Sequence, residues 1–513
     1  MTLVGGAESA ALDDEAADWG LSPRTLVEAA GRACADAFLR ALDGRGTRFS
    51  RIAVLAGSGN NAADALVMLR VLLDTNSSFF TGREARVFLS KACGGDEQSP
   101  RASALAALKK MGTPVSVWDG AAELPTPDTL IIDGVCGSGI RGALRGTALE
   151  MTNAVNAVKA RPPENSVIVS IDVPSGARDS MEADDPVLRC DYCLAVEPLK
   201  FCCYTPRVRS AIGRVIPVTG IFPGELLAKY RSGELLDWKE AAARVMPPPP
   251  DAHKYRRGVV EIRAGCALSA GAGRIAAAGA AAAGAGLVRL GVDESIYPVL
   301  AANAGAMVYP ASQSPGFREG RFKADAILLG PGWGREDARL PVLREALAAE
   351  KAGVPLVLDA DAIALASGAE FNGNTLLTPH TGELAAFCGI PKERLLSDPR
   401  IVEKIAREKN AVILFKSPVM IIAGGTRMIV VDGMNAALGA GGTGDLLAGF
   451  CAALAARCRA GGETGVEALA SCAAAAAALL VEAARRGGPQ FFDPLDLVPL
   501  AAAAAGEAWL GPL

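Results

Sequence analysis

Short apolar runs that close on glycine or a polar residue recur along the chain, the pattern of buried strands ending in loops. In the first half they read RIAVLAGSG (51–59), ARVFLS (85–90), DTLIIDGV (128–135) and NSVIVSIDVPSG (165–176). In the second they read RGVVEIRAG (257–265), ADAILLGPG (324–332), VPLVLDAD (354–361), NAVILFKSP (410–418) and GTRMIVVDG (425–433). Alanine-rich stretches of helical period separate them, and strands alternating with helices predict parallel α/β sheets. One strong break interrupts the alternation: the run Pro247–Pro250 in VMPPPPDAHK, which cannot continue a helix and acts as a spacer. Two α/β domains are therefore expected, over 1–225 and 245–513. In open α/β sheets ligands bind beyond the carboxyl ends of the strands. The polar residues at those ends (Asn60, Asn61, Asp64, Asp133, Asp172, Asp359, Asp361 and Lys416) are accordingly the candidate site residues.

Composition narrows the class. Of 513 residues, 50% are hydrophobic and 21% charged, which is a globular balance with ample core. Lys and Arg number 52 against 56 Asp and Glu, with no basic block, so the cationic face that nucleic acid requires is not expected. The start MTLVGGAESAALDDEAADWG lacks a basic opening and a long apolar segment, so a cytoplasmic protein is expected. The most apolar runs, Ile275–Val288 and Ala468–Val481, fall short of the roughly 20 residues that span a bilayer and read as buried helices, so no membrane partner is expected. Twelve scattered cysteines fit reduced thiols; the cluster Cys190, Cys193, Cys202 and Cys203 reads as free thiols rather than as a metal site, because adjacent cysteines chelate poorly. With His253 and His380 as the only histidines, a multi-histidine metal centre is not expected, and no GxSxG nucleophile elbow occurs.

Two loops carry candidate chemistry. In the first half, backbone N–H groups of Gly57–Asn61 would open a helix as an anion-binding turn, although GSGNNA lacks the third glycine of a dinucleotide fingerprint. Oxygen donors from Asn60, Asn61, Asp133 and Ser175 suit a hard cation, while ordinary turn chemistry explains the same residue types. In the second half no GxxxxGK[ST] loop exists, but GAGGTGD (439–445) offers successive glycine N–H groups before a helix, a nest for an anion. Asp445 there reads either as a helix cap, a role Thr443 could share, or as the base that takes a proton from a hydroxyl attacking a phosphoryl group.

In order along the first half, LVEAAGRA, GSGNNAADALVMLR, DGVCGSGIRGALRG and VSIDVPSGARDS resemble the signatures of NAD(P)H-hydrate epimerase, over about residues 10 to 222. The resemblance implies a Rossmann-like domain with potassium on Asn61, Asp133 and Ser175. The hydrated nucleotide would lie along Asn60, Asn61, Ala62, Ala63, Asp64, Gly137, Ser138, Gly139, Ile140, Arg141, Gly142, Ala143 and Asp172, with Asp172 catalytic. The family's GNNGGDG reads GNNAADA here; were those glycines at positive φ, alanine would cost about 1 kcal/mol of strain.

The second half resembles the ribokinase-like ADP/ATP-dependent NAD(P)H-hydrate dehydratase over about residues 250 to 510, through HKYRRGVVEIRAG, LLGPGWG, LVLDADAIAL, LLTPHTGELAAFCG, KSPVMII and GAGGTGDLLAGF. By that resemblance Ala272, Gly334, His380 and Asp445 contact the hydrate, with Asp445 catalytic, and Lys416, Ser417, Pro418, Val419, Met420 and Gly444 contact the adenylate of ADP or ATP, brought with Mg²⁺. The family's KGxxT is KSPVM here, and its turn after the first strand reads AGCALSA. Together the halves imply two three-layer αβα domains in one bifunctional enzyme. It would epimerise R and S NADHX or NADPHX and dehydrate the S form to NAD(P)H at the expense of ADP or ATP, as a homo-oligomer. Two other readings compete: a ribokinase-like small-molecule kinase, against which LLTPHTGEL and the first half stand, and an active dehydratase fused to a non-catalytic epimerase-like module.

Overall fold

The computed structural model describes residues 1–44, 46–75, 78–92, 98–120, 124, 127–160, 166–302, 305–313, 316–317, 323–488 and 493–510. The chain forms two compact units, one of Met1–Gly233 with the short segment Leu396–Asp398, the other of Glu234–Leu395 and Pro399–Leu513. The division precedes the proline run. Residues 234–244, expected in the connection, belong to the second unit: Leu236 N donates to Val430 O, and Trp509 Nε1 donates to Ala242 O.

In the first unit a seven-stranded sheet runs Val115–Val117, Phe80–Leu89, Phe49–Ala56, Thr129–Gly134, Val167–Ile171, Cys190–Val196, Ile212–Val218 in space. All pairs are parallel. Ile52, Val54 and Ala56 join the core beneath the helices Pro23–Leu42, Asn60–Asp74 and Pro100–Lys110. Their neighbours Ala53 and Leu55 point the other way and are equally buried, as expected for a parallel sheet covered on both faces. The order of strands reverses direction between Phe49–Ala56 and Thr129–Gly134. Such a switch point opens a crevice, because the chain leaves the two strand ends toward opposite faces.

The second unit repeats the plan. Its strands run Met307–Pro310, Leu287–Val292, Val259–Arg263, Ala326–Leu329, Leu356–Leu358, Thr375–Leu377, Val412–Phe415, Val419–Ala423, Met428–Asp432. Pairing is parallel up to Val412–Phe415, and the last two strands are antiparallel. Val260 and Ile262 face the helices Ala270–Ala282, Thr443–Ala460 and Val466–Gly487. On the opposite face Glu261 lies buried between Arg263 (2.9 Å) and Arg289 (2.7 Å). The helices Ala270–Ala282 and Thr443–Ala460 meet at glycines: a Cβ on Gly449 would stand 2.1 Å from Ala276 O, and one on Gly279 2.5 Å from Leu446 O.

The apolar run 468–481 is part of a 22-residue helix, Val466–Gly487, so length alone does not exclude a membrane span as the sequence suggested. Packing assigns it instead. Leu469, Cys472, Leu479 and Leu480 are buried in the core, and even Glu482 is 1% exposed.

Candidate active sites

In the first unit a cavity of about 530 Å³ opens at the switch point. Asn60, Asn61 and Asp64 line it from the first turn of Asn60–Asp74, and Gly137–Ile140 line it from the loop after Thr129–Gly134. Two glycines let these elements meet: a Cβ on Gly57 would lie 1.8 Å from Val135 O, and one on Gly137 3.2 Å from the Asn61 Cβ. Arg141, Gly142 and Ala143 do not line the cavity. Ala62 and Ala63 are interior helical residues buried in the core. The strain considered for alanine there does not arise, because an α-helix holds φ negative and neither residue is among those at positive φ.

Asp172 does sit at positive φ (63°), just past the strand Val167–Ile171. That conformation costs a non-glycine residue roughly 1–2 kcal/mol. It turns the carboxylate onto Lys200, whose Nζ donates to Asp172 Oδ1 at 2.6 Å and to Val196 O at 3.1 Å. Burial disfavours the Lys200 charge, yet Asp172 more than offsets it and the pKa rises, so the ammonium persists. Around this pair burial pushes Asp64 well above the usual carboxylate range, with Asp172 adding repulsion. Burial likewise lifts Asp13, at the cavity rim, to about 6, with Lys200 opposing and Asp172 adding to the shift.

Asp133 and Ser175 come together behind the cavity wall. Ser175 Oγ donates to Asp133 Oδ1 at 2.5 Å, and Ser175 N and Ser170 Oγ donate to Oδ2 at 3.0 and 2.9 Å. Burial raises the Asp133 pKa, and these bonds, foremost Ser175's, work against it. Asn61 has both amide atoms buried without a hydrogen-bond partner among the described residues. A buried orphan carbonyl oxygen is an available ligand for a hard cation, whereas Asp133 already accepts four donors, Val135 N being the fourth.

Sequence reasoning missed Lys200, Asp13 and Glu197. Glu197 lines the cavity and accepts from the N–H groups of Ile221 (2.5 Å) and Phe222 (2.9 Å). The signal was present in CLAVEPLK, where Glu197 and Lys200 follow the strand Cys190–Val196 at its carboxyl end. No group of three or more His, Cys, Asp and Glu side chains converges as a metal site among the described residues.

In the second unit the predicted residues gather at strand ends. Lys416, one residue past Val412–Phe415, donates to Asp359 Oδ1 at 2.7 Å, and Thr378 Oγ1 donates to the same oxygen at 2.8 Å. Burial lowers the Lys416 pKa, but Asp359 outweighs it and the net shift is upward. Gly444 lies against the ammonium, a Cβ there falling 3.2 Å from Nζ. His380 Nδ1 accepts from Gly382 N (2.9 Å) and Glu383 N (3.3 Å), capping the helix Thr381–Cys388, while Glu383 bonds back to His380 N. At this unit's own switch point Gly265 N donates to Pro331 O, and a Cβ on Gly332 would meet Ala272 Cβ at 2.8 Å. Asp361 then holds Gly334 N at 2.9 Å. Of the residues expected at the adenylate, Val419 and Met420 are buried strand positions, Pro418 is exposed, and the Ser417 hydroxyl turns onto Val419 O.

The helix Thr443–Ala460 is capped by Gly442 at φ 97° with no side-chain cap bond. Thr443 Oγ1 donates instead to Leu438 O and Ala440 O. Asp445 occupies the third helical position and is not the cap. Burial lifts its pKa to about 6, with Asp359 adding to the shift, Lys416 opposing it and Glu383 adding.

Fold and sites thus define a two-unit α/β enzyme, each unit with a largely buried lysine–aspartate pair and a further carboxylate of raised pKa beyond its parallel strands. Comparison with known proteins carries this further. The family described as NAD(P)H-hydrate dehydratase matches residues 260–490, and that described as YjeF-related protein N-terminus matches residues 23–202. The bifunctional NAD(P)H-hydrate repair enzyme Nnr of Salinibacter ruber is 30% identical, covering 89% of this chain and 88% of its own. Its counterpart from Gloeobacter violaceus is 31% identical, covering 89% of each. Among solved structures, the ADP/ATP-dependent NAD(P)H-hydrate dehydratase of Bacillus subtilis co-crystallised with ATP/Mg²⁺ is 21% identical with a TM-score of 0.46, covering 53% of this chain and 97% of that one. The chain belongs to the family of bifunctional NAD(P)H-hydrate repair enzymes.

Proposed function

We propose that the two units repair one damaged metabolite: residues 1–225 interconvert the R and S hydrates of NADH or NADPH, and residues 245–513 convert the S hydrate to NAD(P)H using ADP or ATP. The hydrates carry a hydroxyl on C6 of the nicotinamide ring, next to the ring nitrogen. In the first unit the Lys200 ammonium gives its proton to that hydroxyl as the nitrogen lone pair expels water. Asp172, held 2.6 Å from Lys200 and so on the same side of the ring, positions that proton donor and recovers the proton for the pair when water adds to the other face. Asn60, Asn61, Asp64 and Gly137–Ile140 bind the nucleotide in the cavity. Asn61, Asp133 and Ser175 would hold potassium, the orphaned Asn61 oxygen as the free ligand and the Asp133 carboxylate, already accepting four donors, as the negative charge behind it, and the ion would fix the loop carrying Gly137.

In the second unit the observation that carries the reading is Asp445, freed from capping and set beside Lys416 at the mouth of a helix. Asp445 accepts the C6 hydroxyl proton while the oxygen attacks the terminal phosphoryl group of the Mg²⁺ nucleotide. The N–H groups of Gly441–Gly444 and the Lys416 ammonium balance the charge on the phosphoryl oxygens. Ala272, Gly334 and His380 hold the hydrate, and Lys416, Ser417, Pro418, Val419, Met420 and Gly444 lie along the adenylate. The ester phosphate is a better leaving group than hydroxide, so the ring nitrogen expels it, C5 loses a proton and the reduced ring is restored. The helical setting of Ala62 and Ala63 supports a catalytic first unit over a non-catalytic one, because alanine carries no backbone strain there. An acidic balance of charge and scattered thiols support a cytoplasmic protein that acts on small molecules, apart from nucleic acid and membranes, and the resemblance to a family that commonly assembles supports a homo-oligomer.

The test is recovery of NAD(P)H absorbance when a mixture of R and S hydrates is incubated with the protein, Mg²⁺ and ATP or ADP. Complete recovery is expected. Recovery limited to the S fraction would remove the epimerase role, and no nucleotide-dependent recovery would remove both.

A further inference from the structure

Among the buried thiols without a part in this chemistry, four cluster in the first unit: Cys190, Cys193, Cys202 and Cys203. Two of them converge on one atom. Cys193 Sγ lies 3.4 Å and Cys203 Sγ 3.7 Å from the carbonyl oxygen of Asp172, each as a donor. No backbone N–H donates to that oxygen among the described residues, although Asp172 N is tied to Leu194 O at 2.9 Å.

The location is specific. Asp172 is in the left-handed region, where the sheet no longer dictates its conformation, and its carboxylate must still meet Lys200. Cys193 comes from the strand Cys190–Val196, which pairs beside Val167–Ile171. Cys203 comes from the turn Phe201–Tyr204, which begins one residue after Lys200. The turn that delivers the lysine therefore also delivers a donor to the aspartate's carbonyl. Both thiols are 0% exposed, so no water competes for that oxygen. An S–H group is a weak donor, and two on one buried carbonyl are what this pocket supplies. Contact with Cys203 draws the Cys193 pKa down, but burial together with the neighbouring Cys190, Asp172 and Cys202 leaves it at about 11; contact with Cys193, and then burial, holds Cys203 well above the ordinary thiol value. Both therefore remain protonated donors at neutral pH.

We propose that Cys193 and Cys203 are positioning residues for epimerisation: together they pin the Asp172 carbonyl and so fix the left-handed turn that sets the Asp172 carboxylate on Lys200. The role rests on the epimerase reading above and acts through Asp172, since neither thiol lines the cavity.

The experiment uses the full chain and two separate assays. Conversion of R to S hydrate without nucleotide is followed by chromatography, and dehydration of S hydrate with ATP serves as the internal control. Cys193→Ala/Cys203→Ala should lower kcat for epimerisation on the order of tenfold, short of the roughly 10² that a 1 Å misplacement of a reacting group costs. KM should change less than twofold and dehydration should be unaffected. Cys193→Ser/Cys203→Ser keeps a hydroxyl donor at each position and should recover most of the lost kcat. An alanine pair within twofold of the parent, or a serine pair as slow as the alanine pair, overturns the proposal. Should the alanine pair not fold, the single serine variants decide by the same rule: near-parent kcat supports donation, and a tenfold loss in both overturns it. Absence of epimerisation in the unsubstituted protein would overturn the epimerase reading itself.

Discussion

Asp445 and Asn435 sit ten residues apart in one glycine-rich stretch, and the structure gives them different work. Asn435 caps the short turn Ala436–Gly439, accepting from Ala437 N at 3.0 Å. Asp445 stands in the first turn of a helix that Gly442 caps, with the Lys416–Asp359 pair shaping its field. Replacing it by asparagine should lower S-hydrate dehydration by at least about 10²-fold, the usual contribution of a positioned base. Thermal stability should not fall, because no cap is lost. The pH dependence follows from the raised pKa of about 6. The base must be ionised, so kcat/KM for dehydration should be level above pH 6 and fall about tenfold per unit below it. Linkage has the opposite sense for folding. A carboxyl whose folded pKa exceeds its unfolded value disfavours the fold above that folded pKa and ceases to do so at acid pH. Asp445→Asn should therefore hold or raise Tm at neutral pH, while turnover collapses. A pH–rate profile and a melting curve on the one variant check both.

At the scale of elements, close helix packing and helix starts place the chemistry. Gly449 lets the Asp445 helix press on Ala270–Ala282, with only 2.1 Å between a prospective Cβ and Ala276 O. Gly449→Ala should cost about 1–3 kcal/mol as overpacking, visible as a lower Tm, and should displace Asp445 enough to slow dehydration with epimerisation unchanged. A silent Gly449→Ala in both assays would contradict the packing. The helix Asn60–Asp74 offers the converse test. Because Ala62 and Ala63 are helical and buried, Ala62→Gly/Ala63→Gly should destabilise by about 1 kcal/mol per residue and should not increase epimerisation. A faster enzyme would mean that the methyl groups obstruct the substrate after all. The motifs were legible here, but the conformation of GNNAADA was not, since glycine-to-alanine is costly or harmless depending on a φ angle that composition does not reveal.

Over the whole molecule the two sites are separable by substitution. Asp133 belongs to the first unit and is saturated by Ser170, Ser175 and Val135, so Asp133→Asn should leave donors facing a neutral amide, weaken epimerisation and leave S-hydrate dehydration intact. Parallel assays on one preparation check it; loss of both activities would mean that the first unit's fold, rather than its site, had failed. The boundary between units also belongs to this scale. The proline run was the conspicuous break in sequence, yet the second unit begins at Glu234, where Leu236 reaches Val430.

By itself the sequence determined the α/β alternation, because buried parallel strands must be short, apolar on both faces and closed by loops, and that pattern is written locally. It also determined the order of strand-end motifs, and with them Asn61, Asp133, Asp172, His380, Lys416 and Asp445 as candidate site residues. Only tertiary structure decided which of these meet and how they ionise. Lys200 becomes the partner of Asp172 because a neighbouring strand ends beside a left-handed turn, 28 residues away along the chain. Asp445 is a candidate base rather than a cap because Gly442 takes the capping position and the buried charges of Asp359 and Lys416 converge on it. Burial, backbone handedness and the field of distant charges are properties of the folded arrangement, and a linear pattern of residue types does not contain them.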